Sequence, residues 1–194
     1  MWGMNLDRFK GRERIEDIYR AHRKSDMKKF LLRRLDNSFK EIENIYLKFN
    51  REVSKGEALP RGTDWILDNF YLIQLIYRGL RDDIKREKRV VLNVIDDGVF
   101  KGKPRIYILA SELVTNATGN ITEDNIIEFI NNFQIEEVLS LEEIARLSDF
   151  LILSSIEYIE RIATNLMDIY TTWAWIDGMD ISDEEDIENM LEDI

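Results

Sequence analysis

The sequence predicts an all-α protein: a single helical bundle of long amphipathic helices, closed by a short acidic C-terminal helix. Three observations carry this reading. Apolar residues recur at steps of three and four along most of the 194 residues, the spacing that places them on one face of an α-helix. Several helix starts are marked by capping residues. Breakers are few, with two Pro and nine Gly in a chain that is 44% hydrophobic, so there is ample apolar material for a core. At about 100–200 residues per domain the length suits one compact body.

A polar helix is expected around residues 5–22, with Leu6, Phe9, Ile15, Ile18 and Tyr19 as its apolar content. Over 26–54 a continuous stripe runs through Leu31, Leu35, Ser38, Ile42, Ile45, Phe49 and Val53. Pro60-Arg61-Gly62 interrupts the chain, and Thr63 is expected to cap a helix through about 84 that buries Ile66, Phe70, Ile73, Tyr77, Leu80 and Ile84. Residues 85–103 are ambiguous, because the apolar run Val90 to Ile95 precedes turn signals at Asp97-Gly98 and Gly102. The reading favours a short helix followed by a loop. Pro104 suits the start of a helix to about Ala117 that buries Ile106, Leu109, Ala110 and Leu113, with Gly119 as its stop.

Two later starts are marked more strongly. Thr122 lies between Ile121 and Ile126 in a hydrophobic-staple arrangement, and Ser140 with Glu143 forms a capping box. The second is expected to open one long helix with the stripe Ile144, Leu147, Leu151, Ser155, Ile159, Ile162 and Leu166, ended by Gly178. Ser182 and Glu185 would cap the acidic C-terminal helix.

Charge is unevenly distributed. Residues 1–55 carry 15 basic and 9 acidic side chains, whereas residues 162–194 carry no basic and 10 acidic ones. A basic start of this kind suits solvated helical faces or contact with an anionic surface such as a membrane leaflet. The formal net charge of −11 and the lack of a nucleic-acid motif argue against a nucleic-acid partner. The absence of Cys excludes disulfides and thiolate chemistry and fits a reducing compartment. The start of the chain lacks the apolar stretch of a secretory signal, and 65–77 and 150–159 are too short and too polar to span a bilayer. A soluble chain is expected.

Catalytic signals are weak. His22 stands alone on a polar helix, so no histidine metal site can form. The adjacent pairs Asp82-Asp83 and Asp96-Asp97 point their side chains in different directions. The tail acids lack the alternate spacing of a calcium loop, and Gly98 and Gly102 lack the pattern of a phosphate loop. No metal and no cofactor are expected. Trp65, Trp173 and Trp175 are read as core aromatics at helical spacing.

One series of segments resembles a known family. Trp65-Ile-Leu-Asp-Asn-Phe-Tyr-Leu-Ile73, which contains Asp68 and Asn69, looks like "W-L-L-D-N-[FY]-x-L-I" in the N-terminal region of cyclic β-1,2-glucan synthases. Gly102-Lys-Pro-Arg-Ile-Tyr-Ile-Leu-Ala-Ser-Glu-Leu-Val114, which contains Pro104, Arg105, Tyr107 and Glu112, is similar to "G-x-P-R-[IV]-Y-x-L-A-x-E-[LI]-[VI]". Thr118 to Thr122 lies where the family has "T-D-G-R-[IV]-D", and Phe129 to Gln134 resembles "F-[VI]-x-x-[YF]-Q". Leu139 to Ile159 is similar to a segment ending in "L-I-E-x-L", with Glu157 at its acid. The resemblance covers about residues 59–162. It departs from the family at Glu142-Glu-Ile-Ala145, where the pattern is "G-E-L-W-A", and at Asn116-Ala-Thr118, which lacks a His.

The resemblance implies a cytoplasmic helical region, upstream of the transferase domain of an inner-membrane enzyme that polymerises glucose from UDP-glucose. The transferase signatures of such enzymes, Asp-x-Asp and Gln-x-x-Arg-Trp, are both missing from this chain. The expected role is therefore a non-catalytic one of scaffolding, docking or regulation. Its partners would be the other domains of a glucan synthase and an anionic membrane surface. A glucan- or UDP-glucose-binding module, or a small carbohydrate-active enzyme, are the other classes. The division expected is 1–58 as basic amphipathic helices, 59–176 as the helical core and 177–194 as an acidic tail. Asp68 or Asn69 is expected to face inward, towards backbone groups near Pro104-Arg105.

Overall fold

The computed structural model describes residues 23–117 and 121–177, with side chains to 175. The expected helix at 5–22, His22, the stop at Gly119 and the acidic C-terminal helix lie outside the described residues. In order, the elements are β1 (Arg23–Asp26), α1 (Lys28–Lys55), α2 (Thr63–Arg86), β2 (Val91–Val94), α3 (Arg105–Asn116), α4 (Glu123–Gln134), α5 (Leu141–Ala145) and α6 (Leu147–Asp177). The fold is mainly α-helical, as its periodicity predicts.

The helix expected at the start of 85–103 is a strand instead. β1 and β2 pair antiparallel, with Arg23 opposite Val94 and Asp26 opposite Val91. Val90, Val91, Val94 and Ile95 are β-branched and suit a pleated surface. The partner strand lies 65–71 residues upstream, as the pairs Asp26–Val91 and Arg23–Val94 show, beyond the reach of local pattern reading. Asp26 locks the corner after β1: its Oδ1 accepts the Lys28 and Val90 amides, each at 3.1 Å. These backbone donors are the main reason its carboxyl titrates below the usual range.

α1 buries Leu31, Leu35, Ser38, Phe39, Ile42, Ile45 and Phe49, the predicted stripe with Phe39 added and without Val53, which is exposed in the last turn. Gly56 closes the helix at φ 85°, a left-handed conformation that costs a glycine little, and its amide returns to Val53 O. α2 buries Ile66, Ile73, Leu80 and Ile84 as expected, with Phe70 and Tyr77 half-buried. Thr63, however, is not its cap. Gly62 holds the cap position at φ 95°, and Thr63 is the first helical residue, fully buried with no protein partner for its hydroxyl.

The caps at Thr122 and Ser140 form as predicted, with Thr122 accepting from Asn125 and the Ser140–Glu143 box closed in both directions. The helix opened by Ser140 nevertheless ends at Ala145. The break falls at Arg146, whose guanidinium is held by Glu87 at 2.7 Å and Asp149 at 3.0 Å. α6 then buries Phe150, Leu153, Ser154, Ile156 and Ala163, whereas Ile144 and Ile162 of the expected stripe are exposed. α6 packs against both α1 and α3, so its buried face is centred one helical row away from the stripe that periodicity alone selects.

The main core joins α1, α2, β2, α3, α4 and α6 around residues such as Leu35, Ile84, Leu92, Ile106 and Phe150. A second, smaller cluster of Ile45, Phe49, Ile66 and Ala163 lies further along α1 and α6. The tryptophans read as core aromatics are not in either: Trp65, Trp173 and Trp175 are all exposed.

Candidate functional site

The resemblance residues separate into two groups. Pro104 starts α3 and bridges to Val94 at the end of β2, which delivers Arg105 into the protein interior. Arg105 is 2% exposed and Glu143 0%. A charge buried to this degree must be paired and its donors satisfied. Arg105 Nε and Nη2 donate to the two Glu143 carboxylate oxygens at 2.9 and 2.6 Å, a two-point match. Its Nη2 also reaches Val138 O at 3.3 Å and its Nη1 reaches Glu137 at 3.4 Å. The guanidinium lies over the Phe133 ring, 5.8 Å from its centroid.

Glu143 is shared further. Its Oε2 accepts Asn93 Nδ2 at 3.0 Å and the Ser140 amide at 2.9 Å. Burial works against ionisation of this carboxyl, but Arg105 and the Ser140 amide outweigh it and hold it below the usual range. One carboxylate thus joins β2, α3 and α5.

Two residues along α3, Tyr107 donates to Glu157 Oε2 at 2.9 Å, and Arg34 from α1 is hydrogen-bonded to the other Glu157 oxygen. The Arg34 guanidinium lies 5.2 Å from the centroid of the Tyr107 ring. Burial, followed by the nearby Glu157 charge, raises the Tyr107 hydroxyl well above its ordinary value. The hydroxyl therefore stays protonated around neutral pH and donates to Glu157. Ser38 Oγ adds a contact to Glu160 at 2.9 Å. Between α1 and α6, Arg34, Ser38 and Glu160 border an open cleft of about 470 Å³.

The resemblance residues of α2 do not join these clusters. Asp68 is exposed, and Asn69 is half-buried with its amide returned to Trp65 O at 2.8 Å within its own helix. The expected contact of this pair with Pro104-Arg105 is absent. Glu112 is half-buried on α3, and Gln134 is the half-buried last residue of α4.

Trp65 instead begins an exposed apolar face. Trp65, Leu72, Leu75 and Ile76 lie on one side of α2 at i, i+7, i+10 and i+11, with Tyr71 beside them. Leu75 is 55% and Tyr71 74% exposed. α2 turns its other side to α1, where Phe39 stacks on Tyr77 at 3.9 Å and Phe70 on Tyr46 at 3.8 Å. There Asp36 accepts Tyr77 Oη at 2.9 Å and Arg81 Nε at 2.7 Å.

Sequence reasoning missed Asn93, Glu143 and Arg34. Glu143 was visible as the acid of a capping box, but its second role as counter-ion of Arg105 depends on a contact 38 residues away. Among the described residues, no cluster of three or more His, Cys, Asp or Glu is arranged to hold a metal ion, and no helix is long and apolar enough to cross a membrane.

Comparison with known proteins relates the chain distantly to a glucan-synthesising enzyme. It is 26% identical over 126 residues to cyclic beta-(1,2)-glucan synthase NdvB of Rhizobium meliloti (strain 1021). The match covers 64% of this chain and 4% of that protein, so the chain spans a small part of the relative's length. No family model matches, and no solved structure does.

Proposed function

We propose that this chain is a non-catalytic helical domain working in glucan synthesis, counterpart to the region upstream of the transferase in a cyclic β-1,2-glucan synthase. In this reading it acts by docking to the synthase's other domains on the cytoplasmic side of the bacterial inner membrane. The observation that carries the reading is the uncovered apolar face of α2, which starts at the resemblance residue Trp65 and runs to Ile76. Contiguous apolar surface of this kind on a stable bundle marks an interaction site. The buried resemblance residues support the same reading. Arg105, Tyr107 and Glu157 spend their polar groups on each other, Glu143 and Arg34, which suits a scaffold.

The purified chain incubated with UDP-glucose, Mn²⁺ and a β-1,2-glucan primer will release no UDP above a protein-free control. It will sediment with inner-membrane vesicles that contain the glucan synthase and stay in the supernatant with vesicles that lack it. UDP release that rises with protein concentration would replace this reading with an enzymatic one.

A further inference from the structure

α1 and α6 run parallel, in a register set by Arg34 against Glu157, Ser38 against Glu160 and Phe49 against Tyr170. Two helices packed this way ordinarily close on interdigitated apolar side chains, at about 8–10 Å between axes. One margin of this seam is polar instead. Arg34, Asn37, Ser38 and Glu41 follow one another on α1 at i, i+3, i+4 and i+7, facing Glu160 and Thr164 of α6 across the cleft of about 470 Å³. Ser38 is the informative position. It interrupts the buried run of Leu31, Leu35, Ile42, Ile45 and Phe49 and is itself buried, its hydroxyl turned to Glu160. A leucine there would continue the stripe. Sequences depart from their own pattern in this way mainly where function requires it.

The lining defines the chemistry it can recognise. Arg34 and the Asn37 amide donate, Glu41 and Glu160 accept, and Ser38 and Thr164 do both. This mixture matches the adjacent hydroxyl groups of a sugar. Glu41, Glu160 and the neighbouring Glu157 outweigh the single cation Arg34, which is already engaged by Glu157. A phosphate or diphosphate would meet net negative charge. The volume lies within the range of about 300–1,000 Å³ typical of small-ligand sites.

We infer that the α1/α6 cleft binds a neutral glucosyl unit of the glucan chain, and not the nucleotide-sugar donor. The inference rests on the reading that the chain works in glucan synthesis, and supplies the ligand class for it. The full chain, labelled with ¹⁵N, is titrated with sophorose, the β-1,2-linked glucose disaccharide, and separately with UDP-glucose. Sophorose will shift backbone amide resonances of residues 34–41 and 157–164, with a Kd of about 1 mM. UDP-glucose will leave them in place. Asn37 and Glu41 are exposed, so Asn37→Ala and Glu41→Ala variants remain folded, and together they will weaken sophorose binding about tenfold or more.

Sophorose shifts absent from these two segments, or unchanged affinity in the double variant, would overturn the inference. So would an equal response to UDP-glucose. Each of these outcomes is independent of UDP release and vesicle docking, so failure of the cleft and failure of the non-catalytic reading register in different assays.

Discussion

The two groups of resemblance residues live under opposite physical conditions. Around Arg105 the charges are out of water, and every polar contact is supplied by the protein: Glu143 alone gathers Arg105, Asn93 and Ser140. Around Trp65 the polar groups are local or solvated, and it is apolar area that lacks a partner. The first arrangement is complete within the chain and expensive to disturb. The second is incomplete and cheap to disturb. Residues that look alike as motif letters therefore divide into those that hold the fold and those that offer a surface.

The sharpest way to break this contrast is at Arg105. Arg105→Met leaves Glu143 buried without its counter-ion and is expected to cost about 3–5 kcal/mol, because a stranded interior charge loses far more than the pair ever contributed. Urea denaturation measures it. The double variant Arg105→Met/Glu143→Leu will be more stable than Arg105→Met alone, since no charge is then left behind. A loss below about 1 kcal/mol in the single variant would place the pair in water and remove the distinction between the two regions.

How much of this was legible depended on how far each signal reached. The stripe of α1 and the caps at Thr122 and Ser140 follow from residues three or four apart, and the structure repeats them. β2 was misread because its partner Arg23–Asp26 lies far upstream and shows little apolar alternation. Thr63 was misread as a cap because Gly62 can take a positive φ that no propensity rule requires of it. Pro104 and Arg105 stood out only through resemblance. That Arg105 is buried, and by what, needed the fold, because Asn93 and Glu143 reach it from different elements. The exposed tryptophans were misread for the converse reason: helical spacing identifies a face, but not whether anything covers it.

A smaller effect separates two tyrosines. Tyr107→Phe removes a hydroxyl that burial and Glu157 hold protonated, at a cost of about 1–2 kcal/mol. Tyr77→Phe removes the bond to Asp36, which sits 39% exposed beside Arg81, and will cost less than about 1 kcal/mol because water replaces it. Thermal denaturation of both variants ranks them. The reverse order would mean that the Glu157 network is the more hydrated of the two.

Acid sensitivity follows from the same network. Burial raises the Glu143 pKa less than Arg105 and the Ser140 amide lower it, so it lies below the ordinary 4.5. A depressed carboxyl contributes stability that is fully present above that ordinary value and disappears as the pH falls through the lowered one. Stability will therefore decline below about pH 4.5. Glu143→Gln will be less stable at neutral pH and show a shallower decline, a remainder being left by Asp26 and Asp36, whose carboxyls are also lowered. Equal slopes in the two proteins would show that Glu143 binds its proton equally well in the folded and unfolded chain, so that Arg105 and the Ser140 amide do not hold its carboxyl down.

The smallest effect on stability is the most telling about function. Leu72 and Leu75 are both more than half exposed on the outer side of α2, so Leu72→Ser/Leu75→Ser removes less than half of the buried area that two core leucines would contribute. Surface changes of this kind fall within about 0.5 kcal/mol. A single Leu35→Ala on the fully buried face of α1 is expected to cost about 2–5 kcal/mol, through lost transfer energy and the cavity left behind. Denaturation of the two variants side by side gives the contrast, and sedimentation with vesicles that contain glucan synthase gives the consequence. The serine variant will keep its fold and lose vesicle association, because the apolar area it removes is the area a docking partner would cover. If it instead lost about 2 kcal/mol or more, those leucines would be covered within the free chain, and α2 would have no face left to offer.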